Sequence, residues 1–555
     1  ISVMKRICLT IVFAAIFLSA LSAQVAVDPN DSLYTWLSIW EEKGYVRNLP
    51  ILRPYPLQLI EKLLERVKEV GTEEEAARAD LYLKRLSVTI GDDVPDRSLP
   101  SPISLSIENT FWTQFSEYRE DALVTTTLQS KLGDIFSFSG EIAWGGMVES
   151  PGFYGPEWKM ITDEAQSGGG EAVAGDLVFV AKNLGTAQLV IGTEDLFFQA
   201  GLMRSSFGPF FENGAVIGPQ APAAGHFSFT YLADWIKITS VMLVVHPLYY
   251  RDSTDRDTME ILGYDRSTHE NYLVIHSYTF TPWDWMEFGF LQTVLLNGSL
   301  NPVFLIPLVH SFFAQQLYGD ENSSLIGLFA KFRLPANFQL KFMLYVDDFN
   351  TDTFFGTDGR SGLFSFDNSQ NKVALQAGLT WAPENELVRR LRFDYLMVTP
   401  YTYTHNSEKS QLSYTHMDEG IGTILEPNSD QFTLEALVTP LSWLNLTFTG
   451  RFARHGNASE GLYNPGAYED YEGGYYDDGY TNTEITFIGP MRFLTQDVIE
   501  YVLQLGIDAD VTFGLGWAEL SLGLGYMFEY VANKDLVDGA EEFNHYIKFF
   551  SKLTL

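Results

Sequence analysis

The stretch Gly201–Tyr231, GLMRSSFGPFFENGAVIGPQAPAAGHFSFTY, sets the problem that the fold has to solve. Its flanks are β-like. Phe197, Gln199, Gly201 and Met203 alternate with Phe198, Ala200 and Leu202, and Phe227, Phe229 and Tyr231 alternate with small or polar partners. Between them lie more than twenty residues dense in Gly and Pro, whose only ionised side chains are Arg204 and Glu212. A solvent loop would be polar, and a strand would not carry Gly208-Pro209, Gly218-Pro219 and Pro222. A long, apolar, broken segment between two strands needs shelter, and the mouth of a barrel can supply it.

From Pro102 onward the hydrophobic period is two. Ile103, Leu105, Ile107, Phe111 and Phe115 alternate with polar residues, and the pattern returns at Phe338–Leu344, Leu446–Phe452 and Leu520–Phe528. Alternation fits a soluble sandwich or a membrane barrel; the connections decide. Tight turns are read at Leu132-Gly133-Asp134, Asn183-Leu184-Gly185, Ala233-Asp234, Thr281-Pro282-Trp283, Pro335-Ala336-Asn337, Ala382-Pro383-Glu384, Thr439-Pro440-Leu441 and Gly514-Leu515-Gly516. Long connections fall between them, near 147–175, 204–225, 248–269, 297–322, 349–371, 400–430, 454–494 and 531–541. Short turns on one side and long loops on the other are the pattern of an outer-membrane barrel. Residues 101–555 therefore predict an all-β transmembrane barrel of about eighteen antiparallel strands. That count reads 186–203 as one long strand bent at Gly192-Thr193-Glu194-Asp195. The loops near 204–225 and 297–322 are both expected to fold inward.

The N-terminus fits export. Met4-Lys5-Arg6 is a basic start, Ile7–Leu21 an apolar run, and Ser22-Ala23-Gln24 a small-residue cleavage site, so 1–23 reads as a signal peptide. Cys8, the only cysteine, falls within it, so neither disulfides nor Cys-ligated metals are expected beyond it. Residues 24–100 carry three helical signals: Asp31 capping a helix that stops at Gly44, a 3.6-residue period from Leu57 to Val67, and a Thr72/Glu75 capping box. A small periplasmic helical bundle is expected there. The formal charge of −35 argues against nucleic acid as a partner. Aromatics at 14% and a mean hydropathy of −0.02 argue against an acidic disordered tail. A barrel of this kind has outer-membrane lipid and the barrel-assembly machinery as partners.

Two segments resemble the Wzi family of capsule-assembly outer-membrane proteins. In the helical start Leu37–Val67, EEKGYVRNLPILRPYPLQLIEKLLERV is similar to that family's helix, glycine, proline-interrupted turn and helix. Ser206-Phe207-Gly208-Pro209 followed by Ala215–Pro222 resembles its Trp-Gly-Pro-Gly and small-residue stretch, with Phe207 in the tryptophan position and Gly218-Pro219-Gln220 departing from the pattern. Asn301-Pro302-Val303-Phe304 is a third, shorter match. The resemblance implies an eighteen-stranded barrel with periplasmic helices, no catalysis and no cofactor. It also implies binding of capsular or related surface polysaccharide at the outer face. A porin-like channel for small solutes or glycans is the alternative.

The most glycan-like surface is Tyr463–Tyr480, YNPGAYEDYEGGYYDDGY. Tyr468, Tyr471, Tyr475 and Tyr476 offer flat faces to sugar rings, and Asp477 and Asp478 accept hydrogen bonds from hydroxyls. The plainer reading is a solvated acidic loop. Its carboxylates lack Asp-x-Asp-x-Asp-Gly spacing, so no metal site is expected. Asp347-Asp348 has no evident histidine partner, and no Gly-x-Ser-x-Gly elbow exists to anchor a triad. His226, His276 and His310 are expected to bond within the lumen. Arg204, Phe207, Glu212, Asn213 and His226 are the inward-loop candidates, either pinning the loop or touching a ligand.

Overall fold

The computed structural model describes residues 28–86, 103–132, 135–153, 155–156, 171–174, 177–246, 270–318, 322–348, 371–385, 387–400, 402–403, 412, 414–417, 419–456, 493–494, 496, 498–515 and 518–555. The expected signal peptide lies outside these residues. Eighteen antiparallel strands close on themselves. They are β1 (Ile103–Gln114), β2 (Glu117–Leu132), β3 (Phe136–Glu149), β4 (Leu177–Gly192), β5 (Leu196–Met203) and β6 (Ala224–Leu232). Next come β7 (Ile236–Val245), β8 (Asn271–Trp283), β9 (Met286–Leu296), β10 (Ser323–Leu334), β11 (Phe338–Asp348) and β12 (Lys372–Trp381). The last six are β13 (Val388–Val398), β14 (Ser429–Leu441), β15 (Leu444–Gly456), β16 (Ile499–Gly514), β17 (Glu519–Ala532) and β18 (Glu541–Thr554). Each pairs with its sequence neighbours, and β1 meets β18 in the register Ser106↔Thr554 to Gln114↔Tyr546. Closure pairs the first of these strands with the last, as a lipid environment requires.

The alternation sorts each strand into two faces. In β7, Lys237, Thr239, Val241, Leu243 and Val245 are buried toward the lumen, while the residues between them face out. Outward positions elsewhere carry exposed apolar side chains, among them Phe227, Leu328, Leu434, Leu505 and Leu524. Trp235, Trp283, Trp285 and Trp443 stand exposed at the turn end, with Trp283 and Trp285 stacked at 5.5 Å. They form the interfacial aromatic girdle of that end. Among the described residues no helix is long and apolar enough to cross a membrane; the strands do so.

One turn is displaced from its sequence reading. Asn183-Leu184-Gly185 lies inside β4, paired with Trp144, Ala143 and Ile142 of β3. The chain reverses instead at Thr193-Glu194-Asp195, so 186–203 is a hairpin and not a bent strand. Gly192 at φ +141° permits the reversal, and Thr193 closes it: its N–H donates to the Leu196 carbonyl at 2.8 Å and its Oγ1 accepts from Leu196 N at 3.3 Å. One turn has replaced another ten residues away. Both the strand count and the side of every later loop are therefore unchanged.

Three N-terminal helices close the turn end. α1 (Ser32–Glu42) starts on Asp31, whose carboxylate accepts from Leu33 N, and stops before Gly44 at φ +77°. α2 (Leu57–Val70) follows Pro56, and α3 (Glu73–Leu86) follows Thr72. The Thr72 hydroxyl accepts from Glu75 N at 3.4 Å. The Glu75 carboxylate turns away from a reciprocal cap and takes hydrogen bonds from Trp40 Nε1 and Lys43 Nζ, both at 2.6 Å. The apolar faces of the three helices, with Leu33, Leu37, Trp40, Ile60, Leu64 and Val67, join wall residues Val190, Phe197 and Leu437 in one core. α1 is sunk into the lumen. Its Glu41 pairs with Lys331 at 2.8 Å and Arg333 at 3.2 Å on β10, while Lys331 also approaches Glu287, the 2.6 Å partner of Lys237. Around the rim, Lys62 meets Asp195 and Arg85 meets Glu519.

The described residues 297–318, expected to fold inward with the rest of 297–322, do not enter the lumen. A short 3-10 turn (Pro302–Leu305) and α4 (Ser311–Tyr318) lie against the outer face of β7–β9. Phe304 and Ala314 pack on Val274, Val294 and Leu296, whose in-strand neighbours Leu273, Ile275 and Leu295 belong to the lumen core. His276, expected to bond inside, faces outward with this segment.

Candidate functional site

At the loop end the segment 204–223 drops into the lumen. Ser206–Phe207 pairs antiparallel with Leu52–Arg53, so the loop and the N-terminal region share a two-stranded joint inside the barrel. Phe207 N donates to the Ile217 carbonyl at 3.0 Å and Gly208 N to the Ile51 carbonyl at 2.9 Å. Gly208 sits at φ +127°, a conformation that a side chain would oppose. Phe207 is fully buried in a cluster holding Phe210, Val216 and Ile217 of the loop and Val241, Leu273, Leu291, Phe329 and Tyr345 of the wall. A largely apolar, proline-broken loop is stable here because apolar wall residues replace water around it. Its backbone polar groups still need partners, and the wall provides them.

Those partners come largely from tyrosine and glutamine. Tyr403 and Tyr414 donate to the carbonyls of Ala215 and Val216 at 2.7 and 2.8 Å. Gln376 donates to Asn213 O at 2.5 Å and accepts from Ala215 N at 3.1 Å. Gln220 donates to Gly422 O, and Gly218 N donates to Ile421 O at 2.8 Å. Tyr403, Tyr414, Ile421 and Gly422 belong to the connection between β13 and β14 and lie over the plug as a second layer. The sequence reading recognised only a long loop there. The signal available was the uncharged run Gly420–Leu425.

The five inward-loop candidates come together in this region. Arg204 donates to the Pro219 carbonyl at 2.6 Å. Glu212 meets Arg390 at 3.1 Å and Arg392 at 3.7 Å. Burial alone would raise the Glu212 carboxyl, but the guanidiniums of Arg392 and Arg390 hold it well below the usual carboxylate range. Asn213 accepts from Thr423 Oγ1 at 2.9 Å. His226 bonds Ser205 Oγ through Nδ1 at 2.8 Å, leaving its buried Nε2 without a hydrogen-bond partner. Asp347 is a pin, accepting from Tyr403 N at 2.8 Å. Tyr468, Tyr471, Tyr475, Tyr476, Asp477 and Asp478 lie outside the described residues.

Beside the plug, toward β12–β15, β18 and β1, is a polar chamber of about 600 Å³. Phe210, Phe211, Glu212 and Asn213 form its plug side, Asp31 and Arg53 its N-terminal side, and Arg392, Asp394, Glu435, Arg451 and Lys548 its wall. Its cationic and anionic side chains are evenly matched, and two aromatic rings adjoin them. Such a lining offers donors, acceptors and apolar faces to a polyhydroxylated ligand. Among the described residues no cluster of His, Cys, Asp and Glu is arranged to hold a metal.

These features define a class: a closed outer-membrane β-barrel whose own N-terminal helices and loop occupy much of its lumen. No protein-family model and no curated protein matches the chain. Among solved structures it is similar to Wzi, a carbohydrate-binding outer-membrane β-barrel involved in group 1 capsule assembly in Escherichia coli. The TM-score is 0.55 at 9% identity, over 96% of this chain and 99% of that one. The likeness is one of fold and agrees with the resemblance read from the sequence. Weaker similarities are to OprD of Pseudomonas aeruginosa (TM-score 0.39, 8% identity, 82% of this chain and 94% of that one) and to OpdK of the same organism with vanillate (0.41, 8%, 82% and 98%).

Proposed function

We propose that this protein is a non-catalytic, plugged outer-membrane barrel that binds surface polysaccharide at its loop end, which faces the exterior. The turn end and its helices face the periplasm. The observation that carries this reading is the joint between Leu52–Arg53 and Ser206–Phe207, where the chain's own segments meet from both ends inside the lumen. A solute channel would keep that space for water. The structural likeness to a carbohydrate-binding barrel and the mixed aromatic and charged lining of the chamber support a glycan ligand. Tyr468, Tyr471, Tyr475, Tyr476, Asp477 and Asp478 are proposed as outer-loop glycan contacts. The chamber residues Arg204, Glu212 and Asn213 are proposed as plug pins beside the ligand.

Two measurements test this. Cell-surface polysaccharide retention is expected to fall when the gene is deleted, and to fall partly when Tyr475 and Tyr476 are both changed to Ala. In planar bilayers the full chain is expected to conduct far less than a variant lacking 209–221. Unchanged retention together with porin-like conductance by the full chain would leave transport as the better reading.

A further inference from the structure

The outer face of β7–β9 carries a polar row where a lipid-facing barrel should be apolar. Ser240 pairs with His276 and His276 with Gln292 in the strand register, and all three side chains point away from the lumen. The row starts five residues from Trp235 and seven from Trp283 of the aromatic girdle. At ~3.4 Å per residue and a tilt of ~40°, it stands roughly 13–18 Å above the girdle, the middle of an apolar band ~25 Å tall. In hydrocarbon such groups are unfavourable unless bonded.

They are bonded, and their partner is the segment 297–318. His276 Nδ1 is joined to Ser240 Oγ at 2.9 Å, and its Nε2 donates to Phe304 O at 2.7 Å. Gln292 donates to Val309 O at 2.8 Å and accepts from Ser311 N at 3.0 Å. Tyr278, one step nearer the girdle, donates to Pro307 O. The wall thus satisfies the backbone of a non-helical turn at mid-membrane depth. The segment NGSLNPVFLIPLVHSFFAQQLY contains no Asp, Glu, Lys or Arg. Its outer surface presents Ile306, Leu308, Phe313 and Leu317, with Leu308 85% and Leu317 81% exposed. An uncharged segment with capped carbonyls and a bare apolar surface, continuous with the lipid-facing band, matches one environment.

We infer that 297–318 is a re-entrant strap that leaves the outer rim, descends the outside of the barrel and lies among the acyl chains of the outer leaflet. The polar row holds it there. The strap is separate from the proposed glycan site and depends only on the barrel being in a membrane.

Single cysteines test it in the full chain with Cys8→Ser. Leu308→Cys and Leu317→Cys are labelled with bimane in the unfolded chain and refolded into phosphatidylcholine vesicles. Leu328→Cys, on the lipid-facing wall, is the reference. The strap labels are expected to be quenched by acyl-brominated phosphatidylcholine at least half as strongly as the reference, and unlabelled folded Leu308→Cys is expected to react at least tenfold more slowly with a charged, impermeant maleimide than Asn533→Cys in the loop between β17 and β18. Absent quenching with rapid maleimide reaction would place the strap in water and overturn the inference. Disulfide-linked dimers of Leu308→Cys would overturn it in favour of a second copy as the occupant. In a His276→Leu, Gln292→Leu variant that still closes its barrel, by heat-dependent gel mobility, quenching at 308 is expected to fall more than twofold; unchanged quenching would overturn the holding role of the row.

Discussion

Glu42 of α1 and Glu212 of the plug loop bind the same guanidinium: Arg390 Nε lies 3.1 Å from Glu42 Oε1, and Arg390 Nη1 lies 3.1 Å from Glu212 Oε1. One wall residue therefore ties the helices that enter from the turn end to the loop that enters from the other. The two contacts differ in quality. The Glu212 contact is an aligned hydrogen bond, whereas the Glu42 approach is close but misaligned, and both Glu42 oxygens lack a donor. Burial raises the Glu42 carboxyl above its ordinary range despite Arg390, while the arginines hold Glu212 below it. The distance alone would overstate the Glu42 pair, so the Glu212 arm is taken as the stronger.

Arg390→Ala removes the shared cation and leaves both carboxylates inside. Breaking a buried ion pair from one side typically costs about 3–5 kcal/mol. Glu42 can protonate and relieve part of this, so the lower end is expected. The denaturant midpoint for loss of helical circular dichroism should fall, and bilayer conductance should rise because both plugs are loosened. Glu212→Gln, which keeps the hydrogen-bond acceptor, should cost less than half as much.

Phe207 is the apolar counterpart of that tie. It is wholly buried and lies in the joint with Leu52. Phe207→Ala is expected to destabilise the plug by about 3–5 kcal/mol, the usual range for an emptied aromatic site. Hydrogen exchange should then accelerate across 205–223 while the strands of β14–β17 keep their protection. Uniform loss of protection would show that the plug and wall unfold as one unit.

The cover over the plug should weaken in acid. His416 Nδ1 accepts from His246 N at 3.0 Å, and Nε2 donates to the Ala223 carbonyl at 3.1 Å, an arrangement that needs the neutral ring. Burial, opposed only partly by the Ala223 hydrogen bond, lowers its pKa to about 4 from an ordinary 6.5. Below pH 6.5 an opened state takes up a proton that the closed state refuses. Stability is therefore full above pH 6.5, falls as pH drops toward 4, and levels off below it, a span of about 3 kcal/mol. Exchange protection of 221–224 measured from pH 7 to pH 4 checks this. His416→Gln should remove most of the slope.

The parts of this fold legible in sequence are those fixed by local chemistry. Period-two alternation gave the strands, Asp31 and Gly44 bounded α1, and the scarcity of charge in 204–223 marked a sheltered loop. The misplaced features needed information from distant strands. Segment 297–318 carries no charge and 204–223 only Arg204 and Glu212, and lumen core and lipid make the same demand for apolar side chains. What separates them is the row Ser240, His276 and Gln292, which exists only once three strands are in register. The second plug layer around Tyr403 and Tyr414 is not legible for a similar reason: its contacts with Ala215 and Val216 exist only once the distant plug is in place.

The turn at Thr193-Glu194-Asp195 provides the sharpest test of the barrel's register. Asn183-Leu184-Gly185 has the better turn composition, yet Gly185 occupies an ordinary strand position with open space where a Cβ would stand. Gly192 is different: at φ +141° it lies in a region closed to other residues, and a Cβ would strike the Leu196 carbonyl. Gly185→Ala should therefore fold normally. Gly192→Val should cost on the order of 1–3 kcal/mol or more from backbone strain and slow barrel closure, read as heat-dependent gel mobility during refolding. The reverse ranking would mean that the chain turns at 183–185 and that 186–203 is one strand.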